Sequence, residues 1–596
     1  MRAGRISKAF TLAVAAVLAL GACTGTPPAP KEATATATTS QGGNVTILEP
    51  APFTSFNAGS TTGQGATNKR IDYATHSGFN YVDSDLKLVK NDKFGKYEKI
   101  SDKPLTIKYT INSGVQWSDG APVTAADLFL QWAAASGYYN DATLDPAFKV
   151  VKGSAYFNFG GDTTGLSQTS MPVIGDNGSS LTLSYTKPYS DWETALGSTV
   201  SIPAHIVAVR AGLKDADALV SLLQGIPKGD PAAPVKPNPE LRKVADFWNT
   251  GFDTKSMPDP SLALSNGPYL VKGITAGKEL VLTRNVDYTW GTVPTLDTIT
   301  VHYNSKPEAQ IAALKAKTAD VASPALTADN LAALAEVKSD GVQTQVGSTL
   351  GFDQAVLNFK GVLAKPDLRT AFLKTVPRQD IVDQVAKPLN PDATVLNSFV
   401  FRAVQTPYKE STSSNGSAGF AAADIDAAKK LLAGATPTVR ILYNKDDPVR
   451  AAEFDLMSAS AQMAGFTVTD VGKGSAQWLQ ALKDGAFDVA LYGWTSNPTG
   501  SVQVPQVFRT GAPSNLNNFS NTVVDQLAEQ LAGEPDDAKQ NALKLQIDKL
   551  VFDAGYGLPL FQRSAVAAYG PHVAGVKYSP VPVGVWWNVW DWKYVK

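Results

Sequence analysis

One cysteine, Cys23, occurs in 596 residues. The chain can form no internal disulfide, and a thiolate metal cage is excluded. The four histidines, His76, His205, His302 and His572, stand far apart. No metal and no cofactor is expected. An excess of basic charge is missing too, with 53 Lys and Arg against 54 Asp and Glu. No positive field is available to attract nucleic acid. No apolar stretch reaches the roughly 20 residues that a spanning helix needs. The sequence also lacks a G-x-S-x-G elbow, a Walker-type phosphate loop and an H-E-x-x-H pair, so no catalytic residue is assigned. Carboxylates are abundant, so an acid–base hydrolase stays open as a minor alternative.

The N-terminus carries what the rest of the chain lacks. Arg2, Arg5 and Lys8 form a basic start, and Ala9 to Leu20 is uncharged and apolar. Small residues Gly21 and Ala22 then precede Cys23. The pattern is that of a secretory signal peptide, and Leu20-Gly21-Ala22-Cys23 resembles a bacterial lipobox. Residues 1–22 are expected to be removed and Cys23 to carry the lipid. Removal takes Lys and Arg from 53 to 50 against 54 acidic residues, a net charge of −4. Residues 23–43, rich in Thr, Ala, Pro and Ser, read as a flexible tether. The protein is expected to be lipid-anchored to the cell membrane on its extracytoplasmic side, in the periplasm or cell-wall space. Eleven Trp, 19 Tyr and 24 Phe supply large cores and an aromatic-lined cleft.

Ordered sequence is expected from Asn44. Leu105 to Ile111 alternates apolar residues with Thr and Lys, which predicts a strand with one buried face. Thr124, with Asp127 three residues on, predicts a helix start closed by a capping box and running past Trp132. Thr298 to Tyr303 reads as another strand, with His302 on its polar face. Val439, Ile441 and Tyr443 begin a βαβ unit. Its helix starts at Asp447-Pro448, carries Phe454, Met457 and Met463, and ends near Gly465. Segments 213–240 and 404–422 read as loops. Helical and strand patterns alternate, so the class is α/β or mixed α+β.

Phe487 to Tyr492 reads as a strand buried on both faces, broken at Gly493. Trp494, Thr495, Ser496, Asn497 and Pro498 follow. Ligands of open α/β sheets bind beyond the carboxyl ends of strands. An aromatic followed by small polar side chains is a candidate shelf for one.

Several segments in order resemble the extracellular solute-binding proteins of family 5, the oligopeptide- and dipeptide-binding receptors of bacterial ABC importers. Trp117 to Asp127 looks like the family's most recognisable block. Asn266-Gly267-Pro268-Tyr269 with Arg284-Asn285 and Tyr288, and Leu314 to Val321, resemble later ones. Leu368 to Phe372 with Arg378 resembles a helix in which an Asp-Arg pair is usual; Pro377 stands in place of the Asp. Asp488 to Trp494, Leu558 to Phe561, and Trp590-Asp591-Trp592 complete the series. The resemblance covers roughly 45–596.

It implies a two-lobed periplasmic-binding-protein clamshell with an extra inserted subdomain. Lobe 1 would be built from 44–88, 196–305 and 553–596, with the subdomain at 89–195. Lobe 2 would be 306–552. Carried over block by block, the expected ligand-binding residues are Thr62, Gly63, Gln64, Tyr139, Asn266, Gly267, Trp494, Thr495, Ser496, Asn497 and Phe561. The expected partners are a peptide or peptide-like ligand, ABC importer permease subunits and the membrane, with the protein itself a monomer and not an enzyme. In the family's peptide receptors an Asp at the position of Asn497 pairs with the ligand's α-ammonium. Asn497 carries no charge, so a blocked peptide, or a glycosylated, lipidic or neutral solute, becomes an alternative. A sensory lipoprotein using the same clamshell is a further alternative.

Overall fold

A computed structural model describes residues 39–40, 42–144, 150–497 and 499–596. The expected signal peptide, Cys23 and most of the expected tether lie outside the described residues.

The alternating segment Leu105–Ile111 is a strand that buries Leu105, Ile107, Tyr109 and Ile111. It pairs antiparallel with Gly95–Asp102 and Ser180–Ser184 in a four-stranded sheet. Helix α1, Ala125–Ala135, starts with the expected capping box. Asp127 Oδ2 accepts from the Thr124 N–H at 2.7 Å, and Thr124 Oγ1 accepts from the Ala126 N–H at 3.3 Å. The box satisfies donors that a helix start leaves unpaired.

Among the described residues ten strands form one large mixed sheet. In chain order they are β1 (Asn44–Glu49), β2 (Tyr269–Thr275), β3 (Glu279–Arg284), β4 (Thr298–Tyr303) and β5 (Val321–Ala322). Then come β6 (Gln343–Leu357), β7 (Thr438–Leu442), β8 (Thr467–Asp470), β9 (Val489–Thr495) and β10 (Gly557–Tyr569). Their spatial order is β2-β3-β4-β1-β5-β10-β6-β9-β7-β8. Strand β1 lies parallel to β4 and β5, whereas β10 and β6 run antiparallel. The expected βαβ unit is β7, helix α2 (Pro448–Ala464) and β8, with β7 parallel to β8. Asp447 caps α2, and Gly465 ends it at a φ of 111°, a left-handed conformation that glycine adopts freely. Of the side chains expected on α2, Met457 is buried and Met463 is exposed.

Two details differ from the sequence reading. Strand β9 does not break at Gly493 but continues to Thr495, paired with β6 throughout. A Cβ at Gly493 would stand 2.4 Å from the Phe352 carbonyl oxygen, so this glycine permits close pairing rather than ending it. Segment 213–240 holds the helix Ala216–Gln224, capped by Asp215 and buried through Leu219, Val220 and Leu223. Segment 404–422 likewise holds the helix Tyr408–Ser414.

The sheet serves two main cores. The first runs from Val45 to Val321 and takes in Ala567 to Trp592. Segment 89–195, expected as a subdomain inserted in lobe 1, packs into this same core. The second runs from Ala355 to Phe561. It therefore starts later than residue 306, because Ile311, Leu314 and Leu334 pack instead with Leu48 and Ala568. It also ends later than 552, because Leu558, Leu560 and Phe561 of β10 lie within it. Strand β10 thus passes from the first core to the second, and its partner β6 runs from the small cluster around Leu48 and Ala568 to the second core. Their pairing is regular from Gln343↔Tyr569 to Ser348↔Ser564 and resumes at Phe352↔Gln562. Between those points residues 349–351 face Arg563 alone, a bulge that bends the ribbon between the two cores.

Candidate functional site

The two cores face each other across a cleft. On the first-core side are the hairpin 80–90 and the loop 188–194. On the second-core side are residues 401–407, the segment after β9, and helix α4 (Asp537–Asp553), which follows the short helix α3 (Gln503–Phe508). A cavity of about 580 Å³ lies between Lys87, Lys90 and Thr194 on one side and Phe401, Thr499 and Lys544 on the other. A smaller chamber of about 50 Å³ opens from it beneath Trp494 and shares Phe401, Gln405, Gly500 and Lys544. A third hollow of about 250 Å³ is lined by Asn497, Thr499 and Tyr189. A fourth, about 530 Å³, sits at the bulge and is lined by Gly351, Thr495 and Arg563.

Polar contacts bridge the cleft at its edge. Asp191 accepts the backbone N–H of Ser501 at 2.7 Å and of Val502 at 3.0 Å. Gln540 of α4 donates to the Ser190 carbonyl at 3.1 Å, and the Ser190 N–H donates to the Ala532 carbonyl at 2.9 Å. Burial pushes the Asp191 carboxyl above its usual range, although its two amide bonds oppose the shift.

The shelf after β9 is held by Gln503. Its Nε2 donates to the Thr495 carbonyl at 3.0 Å, and its Oε1 accepts from the Asn497 N–H at 3.1 Å. The Ser496 N–H donates to the Leu350 carbonyl at 3.1 Å, tying the shelf to the bulge. Trp494, Ser496 and Asn497 line the small chamber, and Thr495 lines the hollow at the bulge. Trp494, Ser496 and Asn497 thus come together in one chamber, and Thr495 turns to the separate hollow at the bulge.

The other expected residues are held elsewhere. Thr62 Oγ1 hydrogen-bonds the Asn249 carbonyl and Asp253 within the first core. A Cβ at Gly63 would meet the Asn57 carbonyl oxygen at 1.8 Å, so only glycine fits that turn. Gln64 donates to the Ala58 carbonyl at 3.0 Å and accepts from Lys69 at 2.7 Å. The whole 62–64 turn is occupied with its own lobe. Tyr139 is buried, and its hydroxyl donates to the Leu223 carbonyl at 2.9 Å. Asn266 accepts from the Ser77 N–H and donates to the Val200 carbonyl, both at 2.7 Å. Gly267 lies against the Thr75 and His76 backbone. Phe561 is buried in the second core. In these places structural bonding uses up the polar groups that a ligand would need.

Sequence reasoning missed Asp191, Gln354, Gln503 and Lys544. Asp191 follows an unremarkable Tyr-Ser pair and carries no local signal. Lys544 had one. Gln540, Lys544 and Asp548 recur at spacings of four along α4, which places polar side chains on one helix face. Gln540 and Asp548 are buried there. A polar stripe facing inward marks a site or a bridge rather than a core.

Residues 89–515 match the model of the bacterial extracellular solute-binding proteins, family 5. The chain belongs to that family. An uncharacterized lipoprotein of Mycobacterium leprae is 25% identical over 98% of this chain and 96% of its own length. The oligopeptide-binding protein OppA of Mycobacterium tuberculosis is 26% identical over 81% of this chain and 74% of its own length. Among solved structures the periplasmic EDTA-binding protein EppA superposes with a TM-score of 0.75 at 20% identity, covering 94% of this chain and 98% of EppA. The fold is the mixed α/β, two-lobed architecture of these receptors. Among the described residues no helix is long and apolar enough to cross a membrane.

Proposed function

We propose that the protein is a lipid-anchored extracytoplasmic receptor that encloses a solute between its lobes and passes it to the permease of an ABC importer. The observation that carries this reading is the cleft itself. Its walls come from two cores joined by a bulged two-strand ribbon, and polar contacts bridge its edge. Closing such a cleft around a ligand is a hinge motion. The first-core loop and the second-core shelf then act as two jaws, and the bulge at 349–351 absorbs the rotation. The receptor binds and releases its solute without making or breaking a bond in it. Cys23 carries the anchor, and the tether ends before Thr39 rather than at residue 43, because Thr39–Ser40 pair as a strand with Tyr594 and Val595. The kinship with lipoproteins supports this part of the reading.

The solute is peptide-like in size. The relative named as an oligopeptide-binding protein supports a peptide. The neutral Asn497, which lines the chamber, argues against dependence on a free α-ammonium. The structural neighbour named as EDTA-binding supports a wider range of solutes in this architecture. Native mass spectrometry of gently purified protein tests the proposal. A non-covalent solute should leave the protein chemically identical to the solute that entered. Release of a chemically altered product would contradict a pure receptor.

A further inference from the structure

The chamber beneath Trp494 is lined by buried donors. Gln354 is 1% exposed, and its Nε2 has no hydrogen-bond partner among the described residues. The indole Nε1 of Trp494 is buried, with the hydroxyl of Tyr492 on its own strand as its neighbouring acceptor. Both side chains line the chamber. A buried donor left unpaired costs free energy, so Gln354 Nε2 marks where an acceptor belongs.

Lys544 closes the same chamber and, among the described residues, is the only charged one lining it. Among the described residues it forms no ion pair and no hydrogen bond, and its Nζ lies 5.5 Å from the Phe401 ring centroid. Burial pulls its ammonium below the usual lysine range, against the distant pull of Asp191 and Asp537. Asp191 has already committed both oxygens to the amides of Ser501 and Val502. A second cation lies beneath the chamber wall. The Arg402 guanidinium stacks 3.9 Å from the centroid of the Phe352 ring, which also lines the chamber. Burial pulls Arg402 down to about 9, and Asp548 opposes that shift. The remaining walls combine apolar Phe399, Val504, Val507 and Phe508 with neutral polar Gln405, Ser496, Asn497 and Gln503.

We propose that this chamber receives an anionic group of the solute, held by Lys544, Trp494 Nε1 and Gln354 Nε2, with an aryl or alkyl body in the adjoining cavity against Phe401 and Val404. The assignment rests on the receptor reading above and adds its ligand class, an amphiphilic organic anion. The volume agrees. About 50 Å³ is room for a few waters or one compact charged group, since one water needs roughly 10–15 Å³ on this measure. The rest of the solute would occupy the adjoining 580 Å³ cavity. The alternative role for Lys544 is a counter-charge to Asp191 with no part in binding.

Calorimetry on the full-length protein with matched probes separates the two. 3-Phenylpropionate should bind at least about tenfold tighter than 3-phenylpropanol, since charge-assisted hydrogen bonds are roughly twice as strong as neutral ones. Lys544→Met should erase that preference, and Lys544→Arg should retain most of it. Trp494→Phe keeps the ring and removes the donor, and should weaken only the acid; it serves if Lys544→Met folds poorly. Equal affinity for acid and alcohol, a preference that survives Lys544→Met, or no binding of the acid overturns the assignment. Compaction of the protein by a neutral or cationic solute, alongside any of these results, overturns the anion chamber and leaves the receptor reading standing. Failure of every solute tested to compact the protein would instead remove the receptor reading.

Discussion

The carboxylate of Asp191 reaches across the cleft to the backbone of Ser501, 310 residues further along the chain. It accepts that N–H at 2.7 Å and the next, of Val502, at 3.0 Å. Gly500 lets it approach, because a Cβ there would lie 2.5 Å from Asp191 Oδ2. The bond joins a loop of the first core to a shelf of the second, so it exists only while the lobes are together. Hydrogen bonds to charged groups contribute about 1.5–3 kcal/mol. Asp191→Ala should therefore weaken solute binding by about tenfold or more. In scattering it should leave the solute-bound protein with a larger radius than the bound wild type shows. An unchanged radius and unchanged affinity would mean that the contact does not hold the cleft.

Asn497 sits at the cleft with its side chain uncommitted to charge. Asn497→Asp should shift preference from N-acetylated toward free peptides by about one to two orders of magnitude, the value of one charge-assisted bond. The mutant should also lose affinity for N-acetylated peptides and anionic solutes, because a bound solute would cover the new carboxylate and compete with it for Lys544 in the same chamber. Calorimetry on matched peptide pairs checks both halves. Strong preference of the wild type for the free amine would show that another carboxylate holds it.

Asp127 gives a pH signature of the first core. Burial raises its carboxyl from 3.8 to about 6, although the N–H groups of Ala204 and Thr124 oppose the shift. Its folded-state pKa lies above the unfolded one. Between about pH 6 and 4 the folded chain therefore takes up a proton that the unfolded chain does not. The contribution of this group to stability rises as pH falls through that window and is flat below it. A shift of this size corresponds to at most about 3 kcal/mol at 1.36 kcal/mol per unit. Thermal unfolding of Asp127→Asn across that range should lack this component. A difference between wild type and mutant that does not change with pH would contradict it.

The sequence carried much of the first core and little of the cleft. The strand Leu105–Ile111, the capping box at Thr124 and the cap at Asp447 were legible because each is written in residues a few positions apart. So was the shelf Trp494 to Asn497, which follows directly on an apolar strand. Asn266 and Gly267 were legible as a motif but not as what they do. Their roles are a hydrogen bond to Ser77, 189 residues away, and contact with the backbone at Thr75. Such long-range partners leave no local trace. Gly493 misled for the same reason. Its neighbour is the β6 backbone, so a residue that reads as a breaker is a residue that admits a strand. The Asp191 bridge depends on two lobes meeting, and the chamber donors come from two strands and a helix far apart in the chain, which no single segment records.

The anchor has its own test. Cys23→Ser should abolish lipid attachment and move the protein from the membrane fraction to the soluble fraction. Mass spectrometry of the wild type should find residues 1–22 gone and a diacylglycerol adduct on Cys23. Membrane retention of Cys23→Ser, with no adduct on the wild type, would sink the assignment.

The central claim is that the lobes close on a solute about the bulge at 349–351. Small-angle scattering of one preparation, stripped of solute and then resaturated with the solute recovered from it, tests that claim most directly. The account predicts a smaller radius of gyration in the bound state and a return to the larger value on stripping. Identical scattering curves for the two states, with binding confirmed by calorimetry on the same samples, would contradict it.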